Sequence, residues 1–329
     1  MNKLKKIGLT ALSASLVSIS ANAAEMSVNG NASMSSELYS GTDMNYGKGV
    51  SMGNQLTFSA SGSTEGGLDV GLTFILDQSD AVPDPFDNHS VSIGNDTFGT
   101  LVLHGEGGST ASGAYDTTAA GDLWDAFDDL NFGPNATAGG VDVLTAAAGD
   151  NMLYYTAPTV LEDLTVNVSY VPQGAGATAT ETSMGFALTY AGIPGLTATY
   201  ATSDINTNAA ATEGDHEVIR LNYAFEMLPL TVGYSVNEHD VGAAANDQET
   251  ISYAVTYTAT DSLSISYGYE EIESGTANDE DAKYTSVSAA YTIGGVTLSA
   301  RVSEGENIDH SANDAADVDY YTVGASFAF

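Results

Sequence analysis

The sequence predicts an all-β chain: a transmembrane antiparallel β-barrel of about 16 strands, with short turns at one end and long loops at the other. Three observations carry this reading. Short segments alternate greasy and small polar residues with a period of two, as strands with one apolar and one wet face must. The connections sort by length, every second one tight and the others long, polar and acidic. The first 23 residues have the layout of a secretory signal, which sends the rest of the chain out of the cytoplasm.

Residues 1–23 form the signal peptide of this reading. Lys3, Lys5 and Lys6 precede an apolar run at 7–19, and Ala21-Asn22-Ala23 is a small-residue cleavage site. The run is too short and too rich in Ser to span a membrane as a helix. Residues 24–329 then make one barrel domain. Its strands are expected at 26–39, 50–61, 67–78, 87–93, 97–104, 150–157, 164–171, 182–190, 196–203, 216–225, 230–237, 249–258, 263–273, 282–292, 296–303 and 318–329. In 230–236, Leu230, Val232, Tyr234 and Val236 alternate with Thr231, Gly233 and Ser235. Segments 164–170, 251–257 and 263–269 repeat the pattern. In the last strand Tyr321, Val323, Ala325, Phe327 and Phe329 alternate with Thr322, Gly324, Ser326 and Ala328.

Tight connections fall at 62–66, 94–96, 158–163, 191–195, 226–229, 259–262 and 293–295, and long ones at 40–49, 79–86, 105–149, 172–181, 204–215, 238–248, 274–281 and 304–317. A soluble sandwich has no reason to sort its loops by parity, whereas an outer-membrane barrel does. Backbone groups in hydrocarbon need internal partners, so strands cross a bilayer only as a closed barrel. The greasy residues then look outward at lipid and the small polar ones inward at water. Tyr near many strand ends suits an interfacial girdle, although ordinary β-propensity also favours Tyr there.

The chain has 329 residues, 43 Asp+Glu against seven Lys+Arg, and no Cys. Nucleic acid is excluded as a partner, because no basic stripe exists to neutralise phosphates. Without Cys there is no disulfide and no thiolate metal site. His89, His104, His216, His239 and His310 do not cluster in sequence at ligand spacing, so metal catalysis is not expected. No Gly-x-Ser-x-Gly elbow occurs, and Gly105-x-Gly107 lacks a strand–helix context for nucleotides. The chain reads as neither an enzyme nor a cofactor carrier. Acidic loops such as 278–281 could hold Ca²⁺ weakly, without an EF-hand spacing.

The longest stretch without alternation is 105–150, which also holds the only Trp. On a helical wheel Leu123, Trp124, Phe127 and Leu130 share one broad arc, and Asp122, Asp125 and Asp129 a narrow arc opposite. A short helix here would dock its apolar arc on a wall and point three carboxylates into open water. Asp116 and Asp128 add charge nearby, and Glu106 sits at the loop root. A mobile acidic surface loop is the plain alternative.

Several motifs resemble the Gram-negative trimeric porin family. Phe98-Gly99-Thr100-Leu101 is similar to the family's fifth strand, and Gly105 stands where a Gly opens its constriction loop. Asn151, Tyr155 and Pro158 match its Asn-x-x-x-Tyr-x-x-Pro strand, and Phe329 its terminal Phe. The resemblance implies a sixteen-stranded homotrimeric general diffusion porin in outer-membrane lipid. It implies a third loop folded into the lumen, and a C-terminal Phe329 read by the barrel assembly machinery. The chain departs from the family at its basic wall. Tyr154 stands at an Arg position and Glu106 where a basic residue is common, while Lys48 and Lys283 lie near loops. Only Arg220 and Arg301 have inward parity among mid-strand bases. The expectation is a constriction dominated by Glu106, Asp116, Asp122, Asp125, Asp128 and Asp129, with docking through Leu123, Trp124 and Phe127 and a preference for cations. A rival account of the acidity is surface hydration in a salty habitat. Other classes left open are a structural, adhesive or enzymatic outer-membrane barrel and a secreted soluble Ca²⁺-binding β-protein.

Overall fold

The structure is a computed structural model that describes residues 25–41, 48–77, 88–128, 130, 148–159, 161–173, 182–205, 213–241, 247–275, 280–310 and 317–329. The signal-peptide segment, Asp129 and the acidic stretch 276–279 lie outside the described residues. Eighteen strands are described: β1 Glu25–Ser40, β2 Lys48–Ser63, β3 Asp69–Asp77, β4 Asn88–Asn95, β5 Gly99–Glu106, β6 Gly108–Ser109, β7 Ala148–Gly149, β8 Met152–Thr156, β9 Leu164–Val171, β10 Ser183–Ile193, β11 Leu196–Ile205, β12 Gly214–Ala224, β13 Leu230–Val241, β14 Gln248–Thr260, β15 Leu263–Ser274, β16 Ala282–Ile293, β17 Val296–Glu306 and β18 Val318–Ala328. Sixteen of them close a barrel of antiparallel neighbours in chain order, with β5 pairing β8 and β18 returning to β1. Strands β6 and β7 form a separate two-stranded ribbon. The expected count, order and loop parity match this architecture. Among the described residues no helix is long and apolar enough to cross a membrane; the strands do the crossing.

The barrel is inside-out relative to a soluble protein. On β14 Tyr253 is 41% and Tyr257 48% exposed, while Ser252 is fully buried. The same inversion holds on β10, where Met184, Phe186 and Leu188 face out and Ala187 is buried. Exposed apolar rows of this extent suit a hydrocarbon surround and would aggregate in water.

Closure is made by the β1–β18 ladder, from Asn31 opposite Ala328 to Ser40 opposite Asp319. The backbones of Gly30 and Phe329 exchange two hydrogen bonds, at 2.7 and 2.9 Å. The Phe329 ring packs against Gly30, where a Cβ would come within 2.4 Å of it. A side chain at position 30 would push the ring off the seam.

The two outer walls differ. From Tyr46 to Tyr115 the chain has no Tyr, and Tyr39 of β1 faces in, so β1–β5 present no outward Tyr. Their outer face carries Met26, Met34, Met52, Gly30, Ala32 and Ala60 beside Val28, Val50, Leu72, Leu103 and the Phe58–Phe74 stack. Strands β9–β18 carry outward Tyr170, Tyr190, Tyr234, Tyr253, Tyr267 and Tyr321. At their long-loop end these strands also pair carboxylates directly across the sheet. Asp215 stands between Asp204 and Asp240, and Glu217, Glu238, Glu249 and Glu273 form a row over four strands. Like charges so placed destabilise a sheet. Lys283 pairs instead with Glu271 across β15 and β16, 3.4 Å away.

Candidate functional site

After β5 the chain turns into the lumen. The ribbon of β6 and β7 forms the neck of this excursion, and the loop then runs along the inner wall from β9 toward β18. Its backbone N–H groups find acceptors on wall side chains rather than in a regular element. Ala111 donates to Ser169 (2.9 Å), Ser112 to Ser203 (3.0 Å), Ala119 to Ser235 (2.8 Å) and Ala120 to Ser252 (2.9 Å). Each such bond adds about 0.5–1.5 kcal/mol net, and losing its partner costs more. The approach is close because both sides are small: a Cβ on Gly268 would sit 2.9 Å from that of Ala120.

Glu270 anchors the middle of the loop. Its carboxylate is fully buried and accepts the Thr118 hydroxyl at 2.6 Å and the N–H groups of Leu123 and Trp124, both at 3.4 Å. Three donors satisfy a charge that would be costly to bury alone.

The tip is held by packing. Leu123, Phe127 and Leu130 are buried with Ile272, Tyr284, Val318 and Tyr320 of the wall and with Ile308 just beyond β17, and Trp124 lies half-buried at the margin. The Tyr39 hydroxyl donates to the Ala126 carbonyl at 2.8 Å. Full burial of such side chains contributes about 1.5–3 kcal/mol each. The apolar arc read from the wheel therefore meets the wall, but the element is a single 3-10 turn, Leu123–Phe127, and not an α-helix. Asp122 precedes it with a left-handed backbone, φ 50°, which stops an α-helix from starting upstream.

The acidic residues divide. Asp125 and Asp128 are exposed, and Asp116 is half-buried with its carbonyl accepting from the Asn237 amide. Asp122 does not point into open water as expected. Its carboxylate accepts the Thr118 N–H at 2.8 Å, and the Thr118 hydroxyl accepts the Asp122 N–H at 2.8 Å. Burial raises the Asp122 pKa above the usual carboxylate value and nearby Asp125 adds to this, while the bonds to Thr118 and the charge of Arg220 pull the other way.

Glu106 leaves the constriction. A register shift in β5 brings it opposite His89, 3.8 Å from the ring Nδ1. His89 shares its face of β4 with outward Val91, which is 47% exposed. One extra residue in a strand flips every side chain beyond it, so Glu106 belongs to the outer face at the loop root.

Arg220 and Arg301 both face the lumen, and each contacts a neutral group. Arg220 donates to the Thr117 carbonyl at 2.6 Å, beneath the loop. Arg301 stacks over Tyr320, its guanidinium carbon 5.1 Å from the ring centre. Tyr154 faces inward and is half-buried near Tyr115. Among the described side chains, β1–β5 contribute no Lys or Arg to the lumen.

Sequence reading had not singled out Glu270, the Ser seam, or the meeting of His216 with His239. Strand parity carried the signal for all three. Glu270 follows outward Tyr267 and Tyr269 on the wet face, and His216 and His239 stand equidistant from the turn joining β12 to β13.

A closed barrel with a polar lumen, narrowed by a loop pinned inside it, is a water-filled transmembrane channel. The sequence profile of the Gram-negative porins matches residues 8–329. The chain belongs to that family and is an outer-membrane diffusion porin. No curated relative matches the sequence. Among solved structures it is similar to the anion-selective porin from Comamonas acidovorans, with 15% identity over 93% of this chain and 100% of that one, TM-score 0.68. It is also similar to a trimer form of OmpT from Vibrio cholerae (15%, 94% and 100%, TM-score 0.64) and to Salmonella typhi OmpF in complex with daunomycin (14%, 93% and 98%, TM-score 0.65). These likenesses are of fold alone, and an anion-selective member among them means that the fold sets no sign of selectivity.

Proposed function

We propose that this porin passes small hydrophilic solutes passively, without catalysis and without a cofactor, and prefers cations. One observation carries the sign. The loop carries four described carboxylates, Asp116, Asp122, Asp125 and Asp128, against two lumenal Arg, and the described side chains of β1–β5 add no Lys or Arg. Asp129, outside the described residues, joins them by sequence. Two unit charges about 6 Å apart in water interact by about 0.7 kcal/mol. Several carboxylates together reach a few kcal/mol before salt screening, enough to favour cations about tenfold without trapping them.

The test is the reversal potential of the purified protein in a planar bilayer under a salt gradient. A cation-positive sign that shrinks in an Asp122/Asp125/Asp129→Asn variant supports the reading. An anion-positive sign overturns it, and an unchanged ratio in the variant relocates the selectivity. The rows of paired carboxylates on the outer rim favour a second reading, in which acidity mainly hydrates the surface; it expects that unchanged ratio.

The working unit in this reading is a homotrimer joined through the Tyr-free wall of β1–β5, as the trimer form of the OmpT neighbour suggests. Residues 1–23 act as the export signal, and Phe329 is the feature the assembly machinery reads.

A further inference from the structure

The cluster that pins the loop tip contains one residue that belongs neither to that loop nor to a wall strand. Ile308 lies in the outer connection between β17 and β18, and it is 0% exposed among Leu123, Phe127, Tyr284 and Val318. In that connection, 304–317, it is the only large apolar residue. Gly305 shows how close the approach is. It is buried near the end of β17, and a Cβ there would lie 2.9 Å from Ile308 Cδ1 and 3.2 Å from Phe127 Cε1. The Ile308 side chain and the Phe127 ring therefore sit side by side over one bare backbone position.

The connection reaches this point by folding back on itself. Asn307 and His310 take left-handed backbones, φ 53° and 52°, a conformation for which Asn and His are enriched. Between them runs a single 3-10 turn, Ile308–His310. Both ends of the turn are tied to neighbouring outer segments. The Asn307 N–H donates to the Asp317 carboxylate at 3.1 Å, and its side-chain amide donates to the Asp281 carbonyl at 3.2 Å. The His310 ring Nδ1 lies 2.9 Å from the Glu280 carbonyl, and the Glu280 N–H donates to the His310 carbonyl at 3.3 Å. Polar bonds thus fix the turn to the segments that enter β16 and β18, and its one greasy side chain goes inward.

We propose that Ile308 is a positioning residue for the constriction. The turn 307–310 is a strap that holds the Phe127 tip in place, so the width and steadiness of the pore depend on an outer connection. The loop's own bonds explain why a strap acts there. From Ala111 to Trp124 its N–H groups find acceptors on Ser169, Ser203, Ser235, Ser252 and Glu270. Beyond Trp124 docking passes to apolar packing and the Tyr39 bond to Ala126. Packing holds a position only while every member fills its space. The inference concerns the channel's dimensions and is independent of the sign of its ion selectivity.

The experiment is single-channel recording of the purified protein in planar bilayers, comparing wild type, Ile308→Ala, Phe127→Ala and the double variant. Ile308→Ala is expected to raise the share of time spent at wider, noisier levels about tenfold or more, the shift that a void of this size produces. The double variant is expected to match Phe127→Ala, because the two side chains hold one docked state through each other. Asn307→Ala, which loses the bond to Asp281 and leaves the cluster intact, is expected to shift the current the same way by less. Val302→Ala, outward on β17, is expected to leave it unchanged, and an equal change there overturns the assignment. A wild-type current in folded Ile308→Ala overturns the proposal; new proteolytic cuts near residue 308 would then show that Ile308 anchors only its own connection. Additive effects in the double variant overturn it as well. If Ile308→Ala does not fold, Asn307→Ala decides: a wild-type current in that variant overturns the strap.

Discussion

The two halves of the barrel wall solve opposite problems with the same strand. On β9–β18 the outer face carries Tyr and rows of paired carboxylates, and the inner face carries Ser, His and Glu270, which receive the loop. On β1–β5 the outer face has no Tyr and mixes Met, Gly and Ala with Val28, Leu38, Val50, Leu72 and the Phe58–Phe74 stack, and described loop contacts reach the inner face at Tyr39 and Asn88. Aromatic rings belong where lipid headgroups meet hydrocarbon, and small residues where backbones approach a protein surface. The contrast is the ground on which the proposed homotrimer places its lipid face on β9–β18 and its subunit contact on β1–β5.

The sharpest way to break this contrast is to place one bulky residue on each wall. Ala32→Trp is expected to overpack the β1–β5 contact, at about 1–3 kcal/mol per site, and to convert trimers to monomers in detergent by light scattering. Ala198→Trp, outward on β11 between Tyr190 and Leu221, is expected to leave the trimer intact. A trimer surviving Ala32→Trp would remove the reason given for the Tyr-free wall.

The loop side offers the next effect. Phe127→Ala opens a cavity in the cluster that pins the tip, a local cost of about 3–5 kcal/mol. Single-channel recording is expected to show a larger and noisier open current. Phe58→Ala, which removes one ring of the Phe58–Phe74 stack on the opposite wall, should leave the current unaltered.

The smallest effect is on pH. Because the Asp122 pKa is raised, this group takes up its proton at a higher pH than an ordinary carboxylate. Cation preference should therefore begin to fall, on acidification, above the usual carboxylate range. For stability the sign is the reverse: its contribution to docking is fully present below the unfolded pKa and is lost as pH rises through the raised one. Asp122→Asn keeps an oxygen for the Thr118 N–H. It should remove the first step of the selectivity titration and dock at least as firmly at neutral pH, measured by reversal potential and limited proteolysis.

The barrel was legible because period-two alternation and loop parity are local signals repeated sixteen times. The apolar arc of the loop was legible for the same reason. What escaped was geometry set by the partner surface. Asp122 is drawn back by Thr118 and Arg220, and no wheel drawn on the loop alone contains them. Glu106 changes face through one unpaired residue in β5, a slip that alternation cannot register. Glu270 and the His pair were readable in principle, since parity marks polar groups on an inward face, but only a paired strand map says which of them meet.

The clasp of Phe329 on Gly30 has a consequence for how the molecule comes into being. Its two strands are separated by almost the whole chain, so every other ladder can zip locally while this one needs the two far ends to meet. Until then the sheet has two raw margins, each able to recruit a foreign strand. The β1–β18 seam is thus what turns a sticky ribbon into a ring.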